Sequence, residues 1–380
     1  MQWKGGWRDL KVAIIHDWIT NPGGAEKVIQ YMLELYPGAA LYTSVYNKKR
    51  MEGYFKGVEV HTSFINKLPL STTKYSMYLP LMPLAFEQFD LRGFDVVISS
   101  STSCAKGVLT DANTLHICYC NTPMRYAWDF YFEYLNHKQN PLRKLLIQLI
   151  MHKIRLWDVL SANRVDAFIA NSHNVARRIH KHYRRESTVI YPPVSIPVVD
   201  IKTCTSEDYY FIISRLVSYK RIDLAVKAFN ELGIPLIIAG EGPEAKALKQ
   251  LAKPNVRFVG RISEEQKSEY YKHCRGFIFP GEEDFGITPV EAQGYGKPVI
   301  AFGRGGATET VIDGVTGIHF MEQTVEALVD AIIRAQAIDF DLEAIRENAL
   351  SFDYKVFKDK LLTFVHESYQ CFTKNKGMKW

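Results

Sequence analysis

Glu283 and Glu291 are separated by seven residues in the run Glu283-Asp284-Phe285-Gly286-Ile287-Thr288-Pro289-Val290-Glu291. With that interval one carboxylate would sit on the loop leaving a strand and the other would point from the first turn of a helix. The preceding residues 276–280 are apolar and read as a buried strand ending at Pro280. Thr288 then reads as an N-cap, with Pro289 at the first helical position. Free backbone N–H groups at such a start suit a phosphate. Thr288-x-x-Glu291 is equally a capping box, which would give Glu291 a purely structural task. Glu283, like Glu282, could be a solvated loop acid. Arg215 and Lys220 form a second set, on one loop after the apolar run Tyr210–Ile213. Arg would meet a phosphate as a fork and Lys as a point charge, although two loop cations alone also read as solvated. Gly23-Gly24 would let a phosphate approach the backbone, or would simply make a tight turn. No GxGxxG is present, so a dinucleotide site is poorly supported.

These groups need a frame. A chain of 380 residues implies two domains. Strand-like runs fall at 12–16, 95–99, 115–119 and 167–170, with helices through Leu35, over Pro141–Ala162 and over 175–183. Tyr191-Pro192-Pro193-Val194-Ser195-Ile196-Pro197 is a stiff break. Strands then recur at 210–213, 235–240, 255–260, 276–280 and 298–301, with helices at 221–232 and 263–273 and an amphipathic tail from Tyr354. Strand–helix alternation predicts an α/β protein with two doubly wound parallel sheets and a ligand cleft between them.

Hydrophobic residues make up 47% of the chain with charges of both signs, as in a folded globular protein. The six cysteines show no CxxC pair, so neither zinc nor a disulfide framework is expected, and a reducing cytoplasm fits. No signal-peptide pattern or bilayer-length apolar run is read. Residues 1–195 carry 24 Lys and Arg against 15 Asp and Glu, the remainder 23 against 26. A basic half points to an anionic partner, either a membrane surface or a phosphorylated acceptor; nothing carries a nucleic-acid-binding fingerprint. The cluster Arg177, Arg178, Lys181, Arg184 and Arg185 also reads as a solvated helix face. Asp339-Phe340-Asp341 imitates a metal-binding DxD, but Asp341 reads as an N-cap, so no metal site is expected. Residues 142–157 mix apolar and basic side chains at helical spacing, fitting either a core-packed helix or one lying on an anionic membrane. Residues 77–86 share that ambiguity.

Glu283-x7-Glu291 resembles the E-x7-E signature of retaining GT-B glycosyltransferases, specifically glycosyltransferase family 4. Arg215-x4-Lys220 resembles that family's pyrophosphate pair, Gly23-Gly24 its N-terminal glycine loop, and Gly240-Glu241-Gly242-Pro243 its G-x-G-P turn. Tyr191-Pro192-Pro193-Val194 resembles its interdomain segment. Leu79-Pro80-Leu81-Met82-Pro83 and residues 121–129 look like the branch that builds bacterial surface polysaccharides, many of whose members are mannosyltransferases. The resemblance implies an acceptor-binding domain over 1–195, a donor-binding domain over 196–353, and a helix over 354–380 packing back on the first.

It also implies roles. Arg215 and Lys220 would neutralise the donor diphosphate. Phe285, Gly286, Ile287 and Thr288 would line the donor, with backbone N–H groups toward phosphate and sugar. Glu291 would accept ribose hydroxyls, Glu283 would hold the sugar, and Gly260, Arg261 and Ile262 would border the nucleobase. Arg125, Tyr126, Trp128 and Asp129 would meet the acceptor. The implied reaction retains anomeric configuration, with the departing phosphate assisting deprotonation of the acceptor. It needs no carboxylate nucleophile and no cofactor or metal. GDP-mannose is the expected donor, UDP-sugars the rival, and a polyprenyl-linked saccharide at the inner face of the cytoplasmic membrane the expected acceptor. One departure stands out: family members commonly have His where Asn121 stands. Asn121 still forms hydrogen bonds but carries no protonic charge. A sugar-nucleotide epimerase and a non-catalytic partner subunit are the other classes that fit.

Overall fold

The structure, a computed structural model, describes residues 10–135 and 140–376. The last four residues of the expected tail helix lie outside that range. The chain divides into two compact units, one of residues 1–191 with 358–380 and the other of Pro192–Phe357.

Among the described residues, the first unit holds seven strands: β1 (Val12–His16), β2 (Ala40–Thr43), β3 (Val60–Thr62), β4 (Val96–Ser101), β5 (Leu115–Cys120), β6 (Ala167–Ala170) and β7 (Thr188–Val189). They pair in parallel in the order β3-β2-β1-β4-β5-β6-β7. β1, β4 and β5 are buried along their whole length, which is why they show no alternation of apolar and exposed polar residues. From β1 the chain builds outward to one side, then returns to lay β4 on the other. The switch point therefore lies between β1 and β4.

The second unit repeats this plan with six strands: β8 (Tyr210–Ile213), β9 (Leu236–Ala239), β10 (Val256–Gly260), β11 (Gly276–Phe279), β12 (Val299–Phe302) and β13 (Gly317–Phe320). Their order is β10-β9-β8-β11-β12-β13, so this switch point lies between β8 and β11. The helix Ile222–Leu232 buries Ile222, Ala225, Val226 and Phe229, a stripe at helical spacing, and ends where Gly233 takes a left-handed φ of 70°. Ser263 and Gln266 form a reciprocal capping box on Glu264–His273.

The helix Pro141–Ala162 has the expected bounds, with Asn140 accepting from the Leu142 N–H at its start. Asp341 is an N-cap, accepting from Glu343 N and Ala344 N. β2, β3, β7 and β13 were not expected: Thr43, His61, Thr188 and His319 interrupt or bound their short apolar runs.

Candidate active site

Open parallel sheets take ligands at the carboxyl ends of their strands, beside the switch point. In the second unit the loops there are 214–221 after β8 and 280–286 after β11. They approach each other closely because glycines allow it. A Cβ on Gly281 would press 2.9 Å from the Lys220 Cα. A Cβ on Gly240 or Gly242, in the turn after β9, would overlap the carbonyl of Ser214 or Leu216. Gly305 and Gly306, after β12, stand in the same relation to Glu283 and Phe285. Four loops thus interlock backbone to backbone. The Gly306 N–H donates to the Glu283 carbonyl at 2.8 Å.

Glu283 and Lys220 meet across this junction: Lys220 Nζ pairs with Glu283 Oε1, both about four-fifths buried. Glu283 is therefore not a solvated loop acid. Arg215 is exposed on the same loop. Arg221 adopts a left-handed backbone, φ 52°, a conformation disfavoured for a side chain with a Cβ. Its guanidinium donates to Gln323 Oε1 at 3.2 Å, and Gln323 donates on to the Pro280 carbonyl at 3.0 Å. This relay ties the two loops together a second time.

The helix after β11 runs Ile287–Gly294, and its N-cap is Gly286 with φ 90°. Thr288 is therefore inside the first turn, Pro289 is the third helical residue, and no Thr288–Glu291 capping box forms. Proline is tolerated there because the first-turn N–H groups have no partner within the helix. The early start points the N–H groups of Ile287 and Thr288 out of the helix end. Phe285 is buried and packs edge-on against Phe352, ring centroids 5.5 Å apart, so its side chain belongs to the core and only its backbone is available to a ligand. Glu291 accepts from Lys267 Nζ and from the Tyr271 hydroxyl, each at 3.1 Å. Burial opposes the charge of Lys267, but Glu291 and Glu264 outweigh it and raise its pKa. Gly260 ends β10 with φ 71°, and its carbonyl accepts from Gly240 N at 2.7 Å. Arg261 is exposed and Ile262 partly buried beside it.

In the first unit the loops at the switch point follow β1 and β4. Asp17, buried at the end of β1, accepts from the backbone N–H groups of Thr102, Ser103, Cys104 and Ala105 and from the Thr102 hydroxyl. His16 Nδ1 lies 3.1 Å from the Ser100 carbonyl, and its Nε2 faces Glu26 at 4.0 Å. Burial lowers the His16 pKa and pushes Glu26 up to about 7. Asn121 donates from Nδ2 to the Ser100 hydroxyl at 3.0 Å, so Ser100 is contacted from both sides. Gly23 is the N-cap of the helix Gly24–Leu35, and a Cβ there would sit 2.7 Å from Glu26 Oε2. The carboxylate of Glu26 thus gives Gly23 a packing reason to be glycine. His116 is fully buried, 2.9 Å from the Ser99 hydroxyl, and burial lowers its pKa to about 3.

Residues 125–129 follow β5. Arg125 lies over the Phe130 ring, and the Tyr126 hydroxyl is 2.5 Å from Ser103 Oγ. Trp128 donates to Asp158 Oδ2 at 2.8 Å and stacks on His182. Asp129 pairs with Arg178 at 2.7 Å and His182 at 3.5 Å. Burial works against its charge, but those two partners hold its pKa below the usual carboxylate range.

Sequence reasoning missed Asp17, His16, Glu26, Lys267 and Tyr271. Only Glu26 carried a local signal, two residues past Gly24. Among the described residues no three His, Cys, Asp or Glu side chains converge as a metal site.

The model "Glycosyl transferases group 1" matches residues 201–351, and "Glycosyltransferase Family 4" matches residues 22–196. The alpha-1,3/1,6-mannosyltransferase ALG2 of Dictyostelium discoideum is 25% identical over 85% of this chain and 89% of its own length. O-antigen chain mannosyltransferase C of Escherichia coli is 26% identical over 44% of this chain, which spans half of that protein. The crystal structure of Anabaena HepE in complex with UDP superposes with a TM-score of 0.67 at 18% identity, covering 94% of this chain and all of that one.

Proposed function

This chain belongs to the family 4 glycosyltransferases of the GT-B fold, and we propose that it is a retaining hexosyltransferase moving mannose from GDP-mannose to a saccharide carried on a polyprenyl lipid, in bacterial surface-polysaccharide synthesis. Its place would be the inner face of the cytoplasmic membrane. The observation that carries this reading is the Lys220–Glu283 pair at the switch point of the second sheet, with Arg215 on the same loop.

The chemistry follows from what each group can do. The donor diphosphate enters beside Lys220 and Arg215 and meets the outward N–H groups of Ile287 and Thr288. Lys220 turns from Glu283 to phosphate, which frees Glu283 to accept from sugar hydroxyls. As the sugar–phosphate bond breaks, negative charge grows on the phosphate, where the cations and helix end already stand. Such pre-placed charge is commonly the largest catalytic contribution. The leaving phosphate takes the acceptor hydroxyl's proton on the face it departs from, so configuration is retained without an enzyme nucleophile. Glu291, held by Tyr271 and Lys267, accepts from the ribose. Gly260, Arg261 and Ile262 border the base. We assign no metal, because Arg215 and Lys220 supply the countercharge.

Mannose rests on the likeness to the two mannosyltransferases. A UDP-sugar is the rival donor, since HepE binds UDP on the same fold. Nucleotide release should be measured for GDP-mannose and for UDP-glucose, UDP-galactose and UDP-N-acetylglucosamine, with and without saccharide acceptors. Transfer from GDP-mannose is the expected result. Turnover of UDP-sugars alone would overturn the mannose assignment, and product formed without an acceptor would indicate an epimerase.

A further inference from the structure

The helix Pro141–Ala162 has two apolar faces, and only one is covered. Its inner face buries Ile154, Asp158, Ser161 and Ala162. On the opposite side Leu142, Leu145, Leu146, Leu149, Leu156 and Leu160 are each more than half exposed. At about 100° per residue these six fall on one stripe roughly 100° wide, running about 27 Å along the axis. A helix on the surface of a protein ordinarily turns charged or polar side chains outward, and an apolar patch of this extent marks an interaction surface.

The charges beside the stripe say what kind. Arg143, His152 and Lys153 are exposed; at about 100° per residue Lys153 falls among the leucines, with His152 and Arg143 on the two flanks of the stripe. The one acidic residue of this helix, Asp158, is turned inward to pair with Lys106. The neighbouring helix Tyr131–Leu135 adds Phe132, which is exposed, while Arg155 lies over Tyr131 and fixes that helix alongside. Packing two such stripes together would bury Lys153 of each copy without a carboxylate from the partner's stripe, since the one acid of this helix is turned inward. An anionic bilayer satisfies both features. Leucines enter the acyl boundary, while lysine and arginine stems reach back to lipid phosphates.

We propose that the outward face of the helix Pro141–Ala162 is a docking surface for an anionic lipid bilayer. It deepens the peripheral location proposed above and does not depend on donor or acceptor. Among the described residues no helix is long and apolar enough to cross a membrane, so the contact lies in the interface plane.

The test is sedimentation of the full chain with vesicles of phosphatidylglycerol and phosphatidylethanolamine, and with phosphatidylcholine vesicles. It compares the natural protein with Leu146→Glu/Leu149→Glu and with Arg143→Gln/Lys153→Gln. The natural protein should partition onto anionic vesicles at least about tenfold more strongly than onto neutral ones, in a salt-dependent manner. The glutamate pair should lose that partition, and the glutamine pair should weaken it on anionic vesicles only. Nucleotide release with a soluble acceptor, measured on the same samples, should stay unchanged, which separates loss of docking from loss of fold or function. No binding by the natural protein, equal binding to neutral vesicles, or undiminished binding by the glutamate pair would overturn the proposal. So would light scattering showing a dimer that the glutamate pair dissociates, since the occupant would then be a second copy.

Discussion

In the first unit the N–H groups of Thr102, Ser103, Cys104 and Ala105 converge on a carboxylate that the chain itself supplies, Asp17. In the second unit the equivalent end of the sheet carries Lys220 and Arg215 beside a helix start, and the carboxylate facing Lys220 is a neighbour that can be exchanged. Successive backbone N–H groups, like helix N-termini, bind anions. One switch point is therefore an anion site already filled from within, and the other, on the proposed function, would be an anion site kept for the donor. The flanking groups match this division. Around Asp17 burial disfavours charge on His16 and Glu26, whereas Arg215 of the second unit stays in solvent. Two sheets of one topology thus differ in what their own carboxylate faces, backbone N–H groups at Asp17 and an ammonium at Glu283, and the proposed function takes only the second as the donor site.

Exchanging the readouts of the two sites tests this contrast most severely. Asp17→Ala leaves four buried N–H groups without their acceptor and should cost roughly 5 kcal/mol of stability, seen as a large fall in the denaturant midpoint. Glu283→Ala should leave that midpoint almost unmoved while lowering kcat by about 10³-fold, roughly 4 kcal/mol of transition-state stabilisation. Nucleotide binding should remain detectable by calorimetry. If Glu283→Ala instead unfolds the protein, the open site is structural and the contrast fails.

The third effect is on pH. Glu26 ionises near 4.5 when unfolded and at about 7 when folded, so the folded state holds the extra proton between those values. Its contribution is present below pH 4.5 and is lost as pH rises to 7, roughly 3 kcal/mol over the window. His16, with its pKa lowered, acts in the opposite sense and loses stability as pH falls below its unfolded value. Glu26→Gln removes only the first effect. Its stability relative to the natural protein should therefore climb between pH 4.5 and 7 in denaturation series; a flat difference would show that Glu26 is not held neutral. The smallest effect is expected from Lys267→Met. Glu291 would lose the Lys267 ammonium while keeping the Tyr271 hydroxyl, and donor KM should rise about tenfold, near 1.4 kcal/mol, with kcat little changed. A change in kcat alone would place Glu291 at the reacting carbon rather than at the ribose.

Much of the second unit's site was legible because its members sit at short, fixed intervals on two loops: Arg215 with Lys220, and Glu283 with Glu291. The helix start was misread by one or two residues. Thr288-Pro289 is a good N-cap and first position on residue type, but Gly286 can take φ 90° and starts the helix earlier. Asp17 was illegible for a different reason. Its partners lie 85 to 88 positions away, and no local pattern announces a carboxylate that closes a distant loop. The same holds for Lys267, 24 positions from Glu291 on another helix. Trp128 and Asp129 were expected at the acceptor, and the structure shows that Asp158, Arg178 and His182 also engage them.

The pairing of Lys220 with Glu283 has a consequence for selection among solutes. An unpaired lysine would attract every phosphate in the surrounding pool, including inorganic phosphate and free nucleotides. A lysine already neutralised by its neighbour gives a bare phosphate little net attraction, because the carboxylate it displaces is left without a partner. A sugar nucleotide brings both halves of the exchange, phosphate for the lysine and hydroxyls for the glutamate. On the proposed function, the paired site would therefore discriminate between the intact donor and its fragments before any bond is broken.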